Sequence, residues 1–281
     1  MRILITGAGG MLGNDVIRAA EAGGHEPMAL ARPALDITDA VAVAAAVRAA
    51  APDVVVNCAA WTDVDGAEDR FAEALAINGA GAGHVAAAAA KAGAWTIHVS
   101  SDYVFDGEKS EPYVESDPVD PVSAYGRSKL AGEQEVVAAT PDRHTIVRSS
   151  WLFGAHGRCF PKTILRLAAE REELNVVSDQ IGCPTFTGHL AGAIVGLAED
   201  PLPGVRHVAG TGPCSWFQFA EAIVAAGGAR CQVRPIPSEQ YPTPARRPAY
   251  SVLESERGAP RLPEWERGLH EFLSELSGVA A

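Results

Sequence analysis

The amino terminus carries the feature that most restricts the fold of this chain. Residues 3–6 form a short apolar run, a glycine-rich turn follows, and a helical stretch begins at about residue 12. In the turn, Gly7, Gly10 and Gly13 have a G-x-x-G-x-x-G spacing. The first glycine permits a tight turn, the second lets the backbone approach a pyrophosphate, and the third lets helix and strand pack closely. A glycine turn alone would also suit a flexible loop, but its position between a strand and a helix predicts dinucleotide binding.

Predicted strands and helices alternate through the first 150 residues, and this alternation sets the fold class. After the first strand and helix, apolar runs predict strands at residues 25–30, 53–60, 97–105 and 145–148. Between them, helix-forming stretches predict helices at residues 40–50, 67–77 and 80–92. Such alternation is the signature of an α/β protein with a doubly wound, Rossmann-type parallel sheet.

The second half of the chain has a looser pattern, which predicts a smaller carboxyl-terminal α/β lobe that binds substrate. We expect a dinucleotide-binding domain at residues 1–155 and a mainly substrate-binding lobe at residues 156–281. Residues 186–212 contain a predicted helix and a late strand, and we expect this segment to return to the first domain.

Composition and charge exclude several classes of protein. The chain of 281 residues has a formal net charge of −12 and no Lys/Arg cluster, so we expect no nucleic-acid partner. No stretch of about 18 residues is apolar and free of charge and glycine, so we expect no membrane span. The five cysteines are odd in number and include no C-x-x-C pair, which predicts reduced thiols, a cytoplasmic protein and no zinc site.

The ends of the predicted strands indicate how a cofactor would be held. The second strand ends in Ala31 and Arg32, where an acidic residue would favour NAD by binding the ribose 2′-hydroxyl. Arg32 could instead pair with a 2′-phosphate, so we expect NADPH to be preferred and NADH to remain usable; a solvated arginine is the alternative. The residues expected to line the cofactor site are Gly7, Gly10, Met11, Leu12, Gly13, Arg32, Asp36, Ile37, Cys58, Ala59 and Ala60.

Tyr125 and Lys129, four residues apart, are candidate catalytic residues. On a helix this spacing puts both side chains on one face. An ammonium beside a phenol favours the phenolate, which makes the phenol a better proton donor or acceptor near neutral pH. Ser101, at a predicted strand end, could hold a carbonyl oxygen against the phenol. Such a pair also arises by chance and then only packs or faces water. The glycine turn and the strand-end serine favour ketone reduction or alcohol oxidation.

Five stretches resemble the extended short-chain dehydrogenases/reductases, and among them the dTDP-4-dehydrorhamnose reductase family. They lie at residues 56–65, 100–107, 148–154, 179–185 and 245–253. The Ser-Asp-Tyr-Val-Phe-Asp-Gly run that begins at Ser101 and the Asp-Gln-x-Gly-x-Pro-Thr run that begins at Asp179 are the specific ones. The chain departs from the family at Ser101, where threonine is usual, and at Trp61, where tyrosine or phenylalanine is frequent.

The resemblance implies an NAD(P)H-dependent oxidoreductase that reduces the C4 ketone of a dTDP-4-keto-6-deoxy-L-sugar, above all dTDP-4-dehydro-L-rhamnose to dTDP-L-rhamnose. It assigns proton donation to Tyr125 and the carbonyl oxygen to Ser101. It assigns the nicotinamide ribose to Lys129, which would also lower the pKa of the tyrosine, so Tyr125 and Lys129 belong to the cofactor site too. Seven residues are expected at the substrate: Thr62, Val64, Asp102, Tyr103, Trp151, Arg246 and Arg247. Arginine forks suit diphosphate oxygens; a core tryptophan and a solvated arginine pair are the alternatives.

The resemblance also associates the chain with magnesium and with homodimers. No carboxylate cluster has a readable metal-ligand spacing, so the sequence predicts no metal ligands. Two other functions stay open: a 4-ketoreductase for another dTDP-deoxysugar in natural-product biosynthesis, and a non-catalytic NADP-binding regulatory subunit, which would need neither Tyr125 nor Lys129. Dehydratases of nucleotide sugars carry Thr-Asp-Glu where this chain has Ser101, Asp102 and Tyr103, which disfavours dehydration.

Overall fold

A computed structural model describes residues 1–278 of the chain. The strands are β1 (Arg2–Thr6), β2 (Glu26–Leu30), β3 (Val54–Asn57), β4 (Trp95–Ser101), β5 (His144–Ser149), β6 (Leu152–Phe153), β7 (Glu173–Val177), β8 (Ile181–Gly182), β9 (Thr185–Phe186), β10 (Gly204–His207), β11 (Cys214–Ser215) and β12 (Gln232–Ile236). The α-helices are α1 (Met11–Ala22), α2 (Ala40–Ala50), α3 (Gly66–Asp69), α4 (Phe71–Leu75), α5 (Ala82–Ala92), α6 (Ala124–Ala139), α7 (Phe160–Glu170), α8 (Thr187–Glu199), α9 (Trp216–Ala226) and α10 (Trp265–Leu276).

Six strands form one parallel sheet in the order β10-β5-β4-β3-β1-β2. The chain starts in β1, returns on one side of it as β2, and then crosses to its other side as β3. The boundary between β1 and β3 is therefore the switch point of a doubly wound sheet, where ligands bind beyond the carboxyl ends of the strands. The predicted fold class is confirmed.

Alternation of side chains along β1 explains why helices cover both faces of the sheet. Ile3 and Ile5 point to one face and share a buried cluster with residues of α1 and α8. Leu4 points to the other face and joins a cluster built from α2 and α5. Full burial of each such side chain contributes roughly 1.5–3 kcal/mol. Packing on both faces thus holds the end of β1 in place, and the glycine turn starts there.

The carboxyl-terminal part of the chain builds a second core. Buried aromatic and aliphatic side chains from α7, α9 and α10 cluster around Phe153, Phe219 and Phe272. The short parallel pair of β7 and β12 lies beside them. β10 pairs in parallel with β5 in the main sheet, and α8 packs in the same cluster as α1. Within residues 1–278, no helix combines the length and the apolar composition needed to cross a bilayer.

Three predicted elements were wrong in detail, and the first is the strand predicted over residues 53–60, which as β3 ends at Asn57. The single helix predicted over residues 67–77 is divided into α3 and α4 at Arg70, and a π-helical turn, Ala76–Gly81, then leads directly into α5. Asn78 in that turn accepts a hydrogen bond from the backbone N–H of Trp61 and donates to the hydroxyl of Ser128. These long-range bonds anchor the widened turn, which local helix propensity could not reveal.

The strand predicted at residues 97–105 is also shorter than expected. β4 ends at Ser101, and a 3₁₀ turn, Asp102–Val104, follows at once. The turn starts there because the hydroxyl of Ser101 accepts the backbone N–H of Tyr103, a bond that caps the new turn. The same geometry leaves Ser101 at the carboxyl edge of the sheet.

Candidate active site

A cleft of about 900 Å³ opens along the carboxyl edge of the main sheet. Its lining comes from the segments that follow β1, β2, β3, β4 and β5, from α6, and from two residues of the second half of the chain, Trp216 and Arg247. The carboxyl ends of the strands meet at this edge of the sheet. The fold therefore brings together lining residues that are far apart in the sequence.

The glycine turn forms a narrow backbone cradle at one end of this cleft. Gly7 has a positive φ of 68°, and a Cβ atom added there would lie 2.5 Å from the backbone nitrogen of Ala59. A Cβ on Gly13 would collide with the carbonyl oxygen of Gly7. No side chain within residues 1–278 caps the amino terminus of α1, whose N-cap is Gly10. The free N–H groups and the positive helix end fit a dinucleotide pyrophosphate.

All the residues expected at the cofactor line this cleft, including Met11 and Leu12 in α1, Ile37 after β2, and Cys58 and Ala60 after β3. Arg32 and Asp36 are exposed at the rim beyond β2. Hydrogen bonds from the backbone N–H and the hydroxyl of Thr38, at 2.9 and 2.8 Å, lower the pKa of Asp36, and the charge of Arg32 adds to the effect.

Ser101, Tyr125 and Lys129 meet in the middle of the cleft. Ser123 begins α6 by accepting the backbone N–H of Gly126, so the tyrosine lies in the first turn of the helix. Lys129 is buried one turn later, and its Nζ donates a hydrogen bond of 2.7 Å to the carbonyl oxygen of Val99 in β4. The expected spacing on one helix face therefore brings the pair against the end of β4.

The expected lowering of the Tyr125 pKa by Lys129 is not seen in the structure, where burial has the larger effect. Burial raises the pKa of Tyr125 to about 12, with the Ser101 hydroxyl acting against the rise and the Asp102 carboxylate adding to it. Burial also lowers the pKa of Lys129 to about 8, and Glu133 and Cys58 oppose that change. The ammonium is held by the carbonyl of β4, so desolvation dominates the titration of the phenol.

Two large aromatic side chains form a wall of the cleft apart from the cradle. The rings of Trp151 and Trp216 stack with centroids 3.5 Å apart and an angle of 5° between their planes. Trp151 has a positive φ of 48°, a costly conformation for a non-glycine residue. A Cβ on Gly182 would lie 2.5 Å from the indole of Trp151, so only glycine leaves room for the ring. Trp151 is thus a cleft residue and not a core tryptophan.

Polar residues from two loops complete this substrate side. Asp102 is buried beside Ser101, and burial raises its pKa to about 6, opposed by hydrogen bonds from Ser251 and Ser101. Tyr103 packs its ring edge-on against that of Tyr125 at 5.5 Å. Thr62 and Val64, which follow β3, line the same region.

The two arginines expected at the diphosphate take different positions. Arg247 lines the cleft and is half-buried, where its guanidinium binds the carboxylate of Asp65 at 2.8 Å. Arg246 is exposed and does not belong to the cleft lining. The backbone N–H of Ala245 also binds Asp65, which fixes this loop so that only the second arginine faces inward. The expectation for Arg246 is therefore corrected to the solvated alternative.

Sequence reasoning missed ten non-glycine residues of the cleft lining: Ala31, Pro33, Leu35, Ile77, Val99, Ser100, Ser149, Leu152, Arg158 and Trp216. Trp216 is the first residue of α9, and the Ser215 and Gln218 capping box that starts this helix orients it. No spacing links Trp216 to the motifs of the first half. Within residues 1–278, no cluster of three or more His, Cys, Asp or Glu side chains could hold a metal ion.

Comparison with known proteins decides the family. A family model described as the RmlD substrate binding domain matches residues 1–277. The chain belongs to this family. It is 44% identical to a dTDP-4-dehydrorhamnose reductase of Mycolicibacterium smegmatis, over 99% of this chain and 86% of the relative. It is 42% identical to a dTDP-4-keto-6-deoxy-D-glucose reductase of Streptomyces niveus, over 98% of each chain.

Solved structures of family members have the same fold. A dTDP-4-dehydrorhamnose reductase from Bacillus anthracis, crystallised in complex with NADP, superposes with a TM-score of 0.94. The two sequences are 39% identical, and the match covers 98% of this chain and 99% of the other. The family resemblance noted in the sequence is thereby confirmed.

Proposed function

We propose that this RmlD-family protein reduces the C4 ketone of dTDP-4-dehydro-L-rhamnose to dTDP-L-rhamnose with NADPH. The observation that carries the proposal is the meeting of Ser101, Tyr125 and Lys129 in the same cleft as the glycine cradle. A cradle for a dinucleotide and a proton donor on opposite sides of one carbonyl position are what ketone reduction needs. The names of the relatives support the sugar nucleotide as substrate.

The residues of the chain supply everything except the hydride, which a bound nicotinamide would deliver to C4. The hydroxyl of Ser101, which donates to Asp102 at 3.0 Å, would turn to donate a hydrogen bond to the carbonyl oxygen and align it with Tyr125. With a pKa of about 12, the phenol holds its proton at neutral pH and transfers it as negative charge develops on that oxygen. Hydride and proton together convert the ketone to the alcohol. Lys129 would hold the nicotinamide ribose and would place a positive charge near the phenolate that remains.

The substrate wall and the rim of the cleft account for the choice of ligands. Trp151 would pack against the sugar ring, with Asp102 and Tyr103 binding its hydroxyls. Arg247, already paired with Asp65, would face the diphosphate. At the other end, Arg32 is exposed beyond β2, where it would pair with the 2′-phosphate of NADPH. The NADP complex of the Bacillus anthracis relative supports this preference over NADH.

A second function is favoured by the similarity to the Streptomyces niveus reductase, whose name specifies the D-gluco epimer of the keto sugar. Identities of 44% and 42% do not separate the two substrates. Both reactions reduce a C4 ketone by transfer of a hydride and a proton, so the shape of the substrate wall would decide between them. A non-catalytic NADP-binding subunit is disfavoured because Tyr125 and Lys129 are both in place. A homodimer and a cytoplasmic location stay predictions.

One assay tests the substrate and the cofactor together. Purified protein is mixed with freshly made dTDP-4-dehydro-L-rhamnose or dTDP-4-keto-6-deoxy-D-glucose and either NADPH or NADH, and the sugar product is identified. We expect oxidation of NADPH with the L-sugar and formation of dTDP-L-rhamnose. Faster turnover of the D-sugar would select the second function. A kcat/KM at least about tenfold higher with NADH would contradict the role of Arg32.

A further inference from the structure

The face of α6 that carries Tyr125 and Lys129 continues one turn further to Glu133. Residues four apart on a helix are neighbours on its surface, so the three side chains form one row. Unlike most acidic residues, Glu133 is buried: its side chain is 6% exposed. The carboxylate does not face the solvent or the open part of the cleft, and the proposed reaction does not use it.

Glu133 is held by two partners from different strands. Arg148 in β5 binds it with a fork, Nε to Oε1 at 2.9 Å and Nη2 to Oε2 at 2.7 Å. Ser100 in β4 donates its hydroxyl to Oε1 at 2.5 Å. Arg148 is itself 5% exposed, lies 5.1 Å from the ring of Phe105 and contacts Nε2 of His207 at 3.4 Å. The ion pair is therefore built into the interior.

The residues of β4 that contact this row of α6 side chains are consecutive in sequence. Lys129 binds the carbonyl oxygen of Val99, Glu133 binds the side chain of the next residue, Ser100, and the residue after that is Ser101. The same short piece of strand thus carries the two anchors of α6 and the serine that faces Tyr125. Sliding α6 by one residue would break both anchors and move the phenol away from Ser101.

A buried ion pair is a poor device for stability alone. Desolvation of the two charges often exceeds their attraction, and apolar side chains of similar size stabilise as well or better. A different contribution is needed to explain why this chain buries a charged pair directly behind its candidate active site. Conformational specificity is the contribution with the best physical basis.

We propose that Glu133, clamped by Arg148 and Ser100, is a positioning residue that fixes α6 on the end of β4 and balances the charge of Lys129. The inference deepens the proposed function, since it rests on Lys129 serving the cofactor. It predicts that the carboxylate keeps the neighbouring ammonium charged at the pH where the protein works.

The surroundings of Lys129 support this balance. The titratable groups that act on it are Glu133 from α6, Cys58 after β3 and His98 from β4, and Tyr125 lies one turn before it in α6. Burial raises the pKa of Cys58 to about 12 and moves the pKa of His98 well below its ordinary value, so both are neutral at pH 7. Glu133, held in its ion pair with Arg148, is the carboxylate among them. It acts against the burial that lowers the pKa of Lys129 to about 8.

The test is the pH dependence of NADPH binding by Glu133→Gln, followed by cofactor fluorescence without any sugar. The amide keeps the shape and can still bind Ser100, but the negative charge is gone. We expect NADPH affinity to weaken above the pKa of Lys129 in the wild-type protein. In the variant that midpoint should move to lower pH, and a shift of one unit weakens binding about tenfold on the alkaline side. Near pH 6 the two proteins should bind alike.

Matched variants separate charge from structure. Glu135→Gln removes the same charge from an exposed position of α6 and should leave the midpoint unchanged. Ser100→Ala removes one hydrogen bond to Glu133 but keeps the ion pair. It should shift the midpoint to lower pH by a smaller amount than Glu133→Gln does. The same variant tests the inference if Glu133→Gln does not fold. An unchanged midpoint in both variants, or uniformly weaker binding at every pH, overturns the inference. If the wild-type protein binds neither dinucleotide, the proposed function is at fault instead.

Discussion

The two walls of the cleft recognise their ligands by different means. The cofactor wall, at the ends of β1 and β3, consists of main chain and small residues such as Gly7, Gly13 and Ala59, with backbone atoms in close contact. The substrate wall consists of large side chains, above all Trp151, Trp216 and Arg247, which come from loops and from the second half of the chain.

This difference between the two walls follows from the chemistry of the two ligands. A pyrophosphate is common to all dinucleotides and can be held by N–H groups that any sequence supplies, provided that side chains stay out of the way. A sugar is distinguished by its hydroxyls and its ring faces, which requires particular side chains in particular places. We therefore expect substitutions on the two walls to affect different ligands, and Tyr125, between the walls, to affect neither affinity.

The largest effect is expected from Tyr125→Phe. The hydroxyl is the only group lost, and its task is proton delivery in the transition state. General acid catalysis by a placed side chain is worth roughly 10²–10⁴-fold, so kcat should fall by about that factor. The dissociation constants of NADPH and of the sugar nucleotide should hardly change. Steady-state kinetics and fluorescence titration measure the two quantities.

Its comparison variants sharpen the result. Lys129→Ala should lower kcat and also weaken NADPH binding, because the ammonium would serve the ribose as well as the phenol. Ser101→Ala should fall between the two, since a water can partly replace its hydrogen bond. If Tyr125→Phe keeps more than about a tenth of the wild-type kcat, another acid is at work and the assignment of the phenol is wrong.

How far the sequence could predict the molecule depends on how local each feature is. The glycine turn and the Tyr125 and Lys129 pair are set by spacing within one strand, turn or helix, and the structure brings them into the cleft as expected. Trp216 and Arg158 come from segments with no motif, and only tertiary packing brings them to the site.

The errors have the same origin. The high pKa of Tyr125 depends on burial and on where the ammonium of Lys129 points, and neither is encoded by a spacing of four residues. Arg246 and Arg247 are adjacent in sequence, yet the bonds of their loop to Asp65 turn only one of them inward. The π-helical turn at Asn78 likewise follows from bonds to distant residues.

The next largest effect tests the cofactor wall. Gly7→Ala should weaken NADPH binding about tenfold or more, because the added Cβ meets the backbone nitrogen of Ala59 at 2.5 Å. Its positive φ adds about 1–3 kcal/mol of strain. Gly24→Ala is the control: φ is 72° there, but nothing lies within 4 Å of the new atom. Calorimetry should show both variants destabilised and only the first impaired in binding. Equal NADPH affinity in both would mean that the cradle tolerates side chains, and the contrast between the walls would fail.

The smallest effect is expected on the substrate wall, from Trp216→Leu. The change removes the stacking partner of Trp151 but keeps an apolar residue, and an aromatic pair is worth roughly 0.5–1.5 kcal/mol beyond its buried area. The KM for the sugar nucleotide should therefore rise about two- to tenfold, while the dissociation constant of NADPH stays the same.

Trp216 lines the cleft and stacks on Trp151, whose strained backbone holds its ring in position. Freed from its partner, the indole of Trp151 can tilt, and the sugar must restore its orientation on binding. Phe217→Leu, at the next position of α9 and outside the cleft, is the matched control and should leave both constants unchanged. The stacked indoles also give the wild-type protein an exciton couplet in circular dichroism, which the variant should lose. A variant that loses the couplet but keeps the wild-type KM would show that Trp151 needs no stacking partner. Trp216 would then contribute nothing to binding of the sugar nucleotide.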